Sequence, residues 1–391
     1  MMIKWLQEKY NAEVITATIN VGQPEDLAEV EDKANNLGVL KHYSIDAKEE
    51  FATDYILPAI KANALYEGKY PLSTTLSRPL IVKKMVEIAE NEGATALAHG
   101  CTGKGNDQVR FDISIGALAP DLKIIAPVRE WNMTRDEEIE YAKLHGIPVS
   151  TVAKKYSIDQ SIWGRSIECG VLEDASKEPP EDVFEWTTSP EKAPDKPEYV
   201  TIKFETGVPI ALNNEALAPL ALIEKLNKTS GKHGVGRIDH IEDRMVGIKS
   251  REIYECPAAT VLLEAHKDLE KIVLTRHEVL FKQQIDAQWT FLAYAGLWLD
   301  PLREDLEAFI NKSQEKVQGE VRVKLYKGGL QVVSRSSPMS LYDQNLVNYN
   351  IKTGFNQSYS KGFIELWGLQ TRMQNVLKRK AKEKKTGKGG T

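Results

Sequence analysis

Residues 96–111 read ALAHGCTGKGNDQVRF. The apolar run Ala96 to Ala98 predicts a β-strand leading into Gly100, Gly103 and Gly105, with a helix beginning near Asn106. Glycines in such a turn let backbone N–H groups approach an anion, and a helix N-terminus favours negative charge. The spacing matches neither G-x-x-x-x-G-K-[ST] nor G-x-G-x-x-G, so neither a Walker loop nor a dinucleotide fingerprint follows. Asn106 and Arg110 stand four apart and share one helical face. Arg110 can grip a carboxylate through two parallel hydrogen bonds, and Asp107 can accept from an ammonium group. The loop therefore offers contacts for an anion, a carboxylate and an amine, which suits an amino acid beside a nucleotide. The competing reading, of equal weight on spacing alone, is a glycine-rich turn whose Asp107 and Arg110 form an ordinary surface pair.

The alternation of strand and helix extends outward from this stretch. MMIKWLQEKY at 1–10 predicts an amphipathic helix with nothing to cap it, and EVITATIN at 13–20 predicts a strand running into Gly22. Pro24 is expected to open the next helix and Gly38 to close it. HYSID at 42–46 reads as a strand, followed by a helical stretch over 49–66 that Pro58 kinks or splits. SRPLIVKKMVEIAENEG at 77–93 is a helix closed by Gly93, and LKIIAP at 122–127 is another strand. Thr134 and Glu137 form a capping box for a helix that Gly146 ends. Up to about Pro148 the pattern therefore predicts an α/β fold, a parallel sheet with helices on both faces.

Beyond it the character changes. Between Leu172 and Tyr199 five prolines sit among acidic residues, which reads as a linker or surface excursion. YVTIKFETGVPIALN at 199–213 and VRVKLYKGGLQVVSRS at 321–336 predict antiparallel hairpins, the second turning at Gly328 and Gly329. Helices are expected over 221–234 and 301–317, so this part is α+β. Leu366, Leu369, Met373 and Val376 recur on one predicted helix, which packs either on its own domain or on a partner subunit. The basic tail from Lys378 reads as disordered and solvated.

The bulk numbers narrow the function classes. With 391 residues there is length for two cores, and a net charge of -5 gives no reason to expect a nucleic-acid partner. The three cysteines, Cys101, Cys169 and Cys256, are odd in number and far apart, which excludes a disulfide framework and fits a reducing compartment. Lys4, Glu8 and Lys9 interrupt the start, and no apolar run reaches membrane-spanning length. The seven histidines lack metal-ligand spacing, so no metal centre is expected. The expectation is a cytoplasmic enzyme.

Three further stretches carry candidate groups. YEGKYPLSTTLSRP at 66–79 sets Tyr70, three hydroxyls and Arg78 before a helix, where the hydroxyls act as caps or as contacts to a small molecule. YSIDQSIWGRSIECG at 156–170 holds Ser157 and Ser166 with no neighbouring His or Lys, so neither reads as a nucleophile. GKHGVGRIDHIEDRMVGIKSREIYECP at 231–257 is rich in glycine and charge, and reads on composition as a solvated loop and hairpin.

Together with NVGQ at 20–23, these motifs resemble the argininosuccinate synthase family, in the same order and over essentially the whole chain. Cys101 stands where alanine is common, Thr75 lies in STT where many members have GTS, and Ser161 replaces a common asparagine. The resemblance implies an adenine nucleotide alpha hydrolase-like domain over 1–150. A synthetase and multimerisation domain over 151–360, and a C-terminal helix and basic tail over 361–391, would follow it in a homotetramer. It implies a ligase of arginine biosynthesis that uses citrulline, aspartate and ATP with Mg²⁺ as substrates. Carried over by motif, Thr102, Asn106 and Asp107 would hold aspartate. Tyr70, Thr75, Asn106, Arg110, Ser157, Ser166, Glu242 and Tyr254 would hold citrulline, and the backbone at Gly100 and Ile19 would lie against ATP. The family's SGGxDT/S loop does not occur in the chain. The expectation is that one strand and this loop precede Met1 in the gene product; the alternative is a relative that binds citrulline or aspartate without adenylating.

Overall fold

The computed structural model describes residues 1–131, 133, 135–147, 155–349 and 354–386. The β-branched run Ile15–Asn20 (β1) pairs parallel with Lys41–Asp46 (β2), and Ala96–Ala98 (β3) pairs parallel with Lys123–Ile125 (β4). Trp5 and Leu6 of the helix Met2–Tyr10 pack with Val14 and Ile125. On the other side, Val82 and Val86 of the helix Ser77–Glu92 meet Ile115 of the helix Asp107–Leu118. The expected single parallel sheet is divided into these two pairs. A cavity of about 450 Å³ lies between them, lined by Ile15–Ala17 on one side and Ala96–Ala98 on the other. Among the described residues no strand bridges the two facing edges.

Several local expectations shift for identifiable reasons. The helix Leu27–Asn36 opens on Asp26, not Pro24, because the Asp26 carboxylate accepts from the N–H groups of Ala28 and Glu29. The run after β2 continues through α, π and α segments, Lys48–Phe51, Ala52–Ile56 and Leu57–Lys61. Pro58 has no N–H to donate, and the turn before it widens so that the Leu57 N–H reaches the Ala52 carbonyl. The helix bulges instead of splitting and ends before the predicted Tyr66. A short helix, Pro127–Trp131, was not anticipated. Thr134, half of the predicted capping box, lies outside the described residues.

Antiparallel sheets build the rest. Ser157–Ser161 (β5), Gly164–Glu168 (β6), Arg237–Asp243 (β10) and Lys249–Glu255 (β11) form one sheet in the order β10-β11-β6-β5. Glu198–Glu205 (β7), Val208–Leu212 (β8), Glu215–Ala216 (β9), Gly319–Tyr326 (β12) and Gly329–Ser336 (β13) form the other, in the order β13-β12-β7-β8-β9. The last hairpin turns at Lys327 and Gly328, both with positive φ, so the reversal sits one residue earlier than read. The helices Pro257–Val273 and Arg276–Tyr294 carry much of the central core; their starts are marked in the sequence by Pro257 at the first helical position and by the Thr275–Glu278 capping box. The proline-rich segment is anchored rather than free: Val183 and Ala193 are buried. The Glu255 carboxylate there accepts from the N–H groups of Glu185, Trp186 and Thr187.

Met1–Ser340 and Leu341–Thr391 are two compact units. Among its described residues the second holds the short helix Gln344–Val347 and then two helices, Tyr359–Trp367 and Leu369–Thr386, where one was expected, and the break between the last two falls at Gly368. Leu366, Leu369, Met373 and Val376 are all exposed. The basic tail is helical through Thr386, because its lysines and arginines are good helix formers.

Candidate active site

The site assembles where the loop after β3 meets the β10–β11 hairpin. The helix Asp107–Leu118 starts at Asn106, whose side chain does not cap it. Asn106 reaches outward instead, its Nδ2 donating to the Tyr294 hydroxyl (2.8 Å) and its Oδ1 accepting from the Met245 N–H (2.8 Å). One turn on, Arg110 donates its Nε to the Tyr294 carbonyl (3.0 Å) and a terminal nitrogen to Asp107 (2.9 Å). Asp107 and Arg110 do pair, but Arg110 is only 6% exposed and Asp107 is half-buried, so the surface-pair reading gives way to a partly buried one.

Arg78 completes this charged edge. It donates to Asp107 (2.8 Å) and also pairs with Asp159 on β5. Burial by itself would raise the Asp107 pKa; the guanidinium groups of Arg78 and Arg110 outweigh it and hold the carboxyl well below the usual carboxylate range. Asp107 is therefore a carboxylate at any physiological pH.

The hydroxyl-rich stretch does not cap its helix. The Thr74 and Thr75 hydroxyls lie 3.3 and 3.2 Å from the Tyr70 hydroxyl, which also accepts their backbone N–H groups. The Tyr70 ring stacks on Tyr254, with centroids 4.2 Å apart. Tyr254 in turn donates to Glu242 Oε2 (2.6 Å), and Tyr294 donates to Glu242 Oε1 (2.6 Å). Burial first pushes both tyrosine pKa values far up, aided at Tyr254 by Tyr70 and then the Glu242 charge and at Tyr294 by the Glu242 charge, so both hydroxyls remain proton donors. Cross-strand pairing follows the 231–257 hairpin: Ile238 lies opposite Tyr254, Glu242 opposite Ser250, and Tyr254 on β11 opposite Ser166 on β6. The hairpin is a structural wall with Glu242 and Tyr254 both 3% exposed, not a solvated loop.

Seven predicted residues thus meet in one connected network: Tyr70, Thr75, Asn106, Asp107, Arg110, Glu242 and Tyr254. Ser166 adjoins it across the sheet. Ser157 is exposed at the start of β5, opposite Glu168. Thr102 and Gly100 lie on the exposed loop before Asn106, and Ile19 is buried near the end of β1. Among the described residues these last four make no hydrogen bond to the network. The Ile19 carbonyl accepts from Gln23 (2.9 Å), and the Val21 carbonyl accepts from the Ile162 N–H (2.8 Å), which ties this turn to the β5–β6 hairpin. A Cβ on Gly22 would come within 2.5 Å of Ile162, so only glycine fits there. Sequence reading missed Tyr294 and Asp159: Asp159 lies within the 156–170 stretch without being singled out there, Tyr294 lies in none of the quoted stretches, and only the packing brings them to Arg78 and Arg110.

The arrangement offers a buried carboxylate, a paired guanidinium and an amide beside a glycine-rich helix start. Among the described residues no group of three or more His, Cys, Asp or Glu side chains could hold a metal ion. No helix among them is long and apolar enough to cross a membrane. Residues 1–148 match the family model described as arginosuccinate synthase N-terminal HUP domain, and residues 156–374 match the arginosuccinate synthase C-terminal domain.

The chain belongs to the argininosuccinate synthase family.

Its similarity to curated members of the family runs nearly end to end. It is 61% identical to the argininosuccinate synthase of Pyrococcus furiosus over 95% of this chain and 90% of that protein. It is 56% identical to that of Methanocaldococcus jannaschii over 97% of this chain and 95% of that protein. With the Dehalococcoides mccartyi strain 195 protein of the same name it shares 55% identity, over 99% of this chain and 95% of that protein. The HUP domain of the family carries the two parallel strand pairs, and the family's C-terminal domain carries the antiparallel sheets.

Proposed function

We propose that the chain joins citrulline and aspartate into argininosuccinate, consuming ATP and releasing AMP and pyrophosphate, in arginine biosynthesis. The observation that carries this reading is the buried network joining Asn106, Asp107 and Arg110 to Glu242 and Tyr254, in a chain matching both family models. Two zwitterionic amino acids need fixed charges of both signs and no nucleophile, and that is the chemistry present.

In the first step the citrulline ureido oxygen attacks the α-phosphorus of ATP, supplied as its magnesium complex, and pyrophosphate leaves. In the second, the aspartate amine attacks the ureido carbon and AMP leaves. Arg110 and Asn106 hold the citrulline carboxylate, with Tyr70, Thr75, Ser157 and Ser166 lining the same pocket. Glu242, with Tyr254, faces citrulline's N–H and ammonium groups. Thr102, Asn106 and Asp107 hold aspartate, the Asp107 charge meeting its ammonium group. Backbone at Gly100 and Ile19 lies against ATP. None of these side chains forms a bond to substrate; the rate gain comes from orientation and from placing charge where it develops. Residues 1–150 then serve ATP, residues 151–360 complete the amino-acid pockets, and residues 361–391 assemble a cytoplasmic homotetramer through their exposed apolar face.

The test is AMP release from ATP with citrulline and aspartate added singly and together. AMP formation that requires both supports the reading. Citrulline binding by calorimetry with no AMP under any combination overturns it in favour of a binding protein.

A further inference from the structure

Tyr294 is the last residue of the helix Arg276–Tyr294 and is fully buried. Its contacts converge from three separate parts of the chain. The hydroxyl accepts from Asn106 Nδ2 (2.8 Å) and donates to Glu242 Oε1 (2.6 Å). The carbonyl accepts Arg110 Nε (3.0 Å), and the Arg110 guanidinium lies 4.9 Å from the ring centroid. Tyr66 stacks on the ring with centroids 3.5 Å apart and planes 8° from parallel. Just past the helix, Gly296 has φ +82° and its Cβ position lies 2.9 Å from Arg110 Cα, so the helix end is pressed directly against the Arg110 backbone. A rigid, buried residue that touches an amide, a guanidinium and a carboxylate fixes their mutual geometry.

We propose that Tyr294 is a positioning residue for the citrulline pocket, setting Asn106, Arg110 and Glu242 in register without itself contacting substrate. This rests on the function proposed above. The hydroxyl is the coupling element, because it is donor to Glu242 and acceptor from Asn106 at once. Without it, Glu242 Oε1 keeps no tyrosine donor and Asn106 Nδ2 loses its partner, so each side chain gains freedom to rotate. The ring stack and the Arg110–carbonyl contact need no hydroxyl and survive.

Tyr294→Phe separates these roles. Wild type and variant are assayed together for AMP release, with KM measured for citrulline, aspartate and ATP in turn. The expected result is a citrulline KM raised about tenfold or more, roughly the loss of one hydrogen bond to a charged group, with the ATP KM within twofold. Tyr66→Phe, which keeps the stacked ring and loses a hydroxyl that donates to the Asp243 carbonyl (2.8 Å) and not to Glu242, should not reproduce the citrulline effect. An unchanged citrulline KM overturns the proposal, because the hydroxyl then sets nothing in the pocket; an equal rise in all three KM values or a variant that fails to fold also overturns it, since either assigns the hydroxyl a structural role. Inactivity of the wild type under the same conditions instead refutes the functional reading itself.

Discussion

Gly296→Ala is the substitution whose consequence the structure lets us work through most fully. Gly296 has φ +82°, where an L-residue carries a penalty of about 1–2 kcal/mol. The new Cβ would stand 2.9 Å from Arg110 Cα and 3.2 Å from Arg110 Cγ. Carbon atoms in contact prefer about 3.5–4.0 Å, so the two backbones must part by about 0.6–1.1 Å. The side chain cannot simply swing away, because Arg110 is held by the Tyr294 carbonyl and by Asp107. Overpacking of this kind costs about 1–3 kcal/mol. The total is about 2–5 kcal/mol, a large part of the roughly 5–15 kcal/mol typical of a folded domain. Gly93→Ala isolates the first contribution: its φ is +64° and nothing lies within 4 Å of its Cβ position. Thermal unfolding should therefore place Gly296→Ala below Gly93→Ala by roughly 2–12 °C, from the overpacking cost of about 1–3 kcal/mol at about 2–4 °C per kcal/mol for domains somewhat smaller than this. The same displacement moves Arg110 relative to Glu242, and a shift near 1 Å at a binding group costs on the order of a hundredfold. Citrulline kcat/KM should fall about tenfold to a hundredfold in Gly296→Ala and stay near wild type in Gly93→Ala. Equal melting temperatures for the two variants, with unchanged citrulline kinetics, would refute the close-approach argument.

Two other substitutions probe different physics. Arg165→Met removes the buried partner of Glu255 (2.9 Å), itself fully buried; breaking such a pair costs about 3–5 kcal/mol. The lower end is expected by denaturant unfolding, because Glu255 retains the Glu185, Trp186 and Thr187 N–H donors and the Thr187 hydroxyl. Glu252→Gln tests a titration. Burial, and then the charge of Glu168, pushes the Glu252 pKa up to about 7, against the pull of Arg244. A carboxyl raised in the folded state contributes stability that is complete below its unfolded pKa of about 4.3 and lost as pH rises through about 7. Melting temperature measured from pH 5 to 8 should fall less steeply in Glu252→Gln than in wild type, and parallel profiles would contradict this.

Much of the site was legible in advance because its chemistry is local. ALAHGCTGKGNDQVRF sets glycines, Asn106, Asp107 and Arg110 within a turn and a half of helix, so their shared edge follows from helical periodicity alone. The hairpin at 231–257 reads on composition as a solvated loop and hairpin, and Glu242 and Tyr254 stand out there only through the family resemblance. Element ends were less legible where two residue types compete. Asp26 displaces Pro24 as a helix start because a carboxylate accepts N–H groups, and Pro58 bulges a helix that its neighbours are apolar enough to continue.

By itself, then, the sequence determined the residue types, their local spacing and the alternation that makes an α/β half followed by an α+β half. Only the tertiary structure decided which charges neutralise one another. Arg78 is 29 residues from Asp107, and Tyr294 is 188 residues from Asn106; both contacts arise from helix and sheet packing that no local pattern encodes. It also turned an ordinary-looking Asp107–Arg110 pair into one whose guanidinium is buried, and the hydroxyls of Thr74 and Thr75 from caps into partners of Tyr70. Hydrogen-bond choice inside a protein depends on which groups have lost water together, and that is a property of the assembled core.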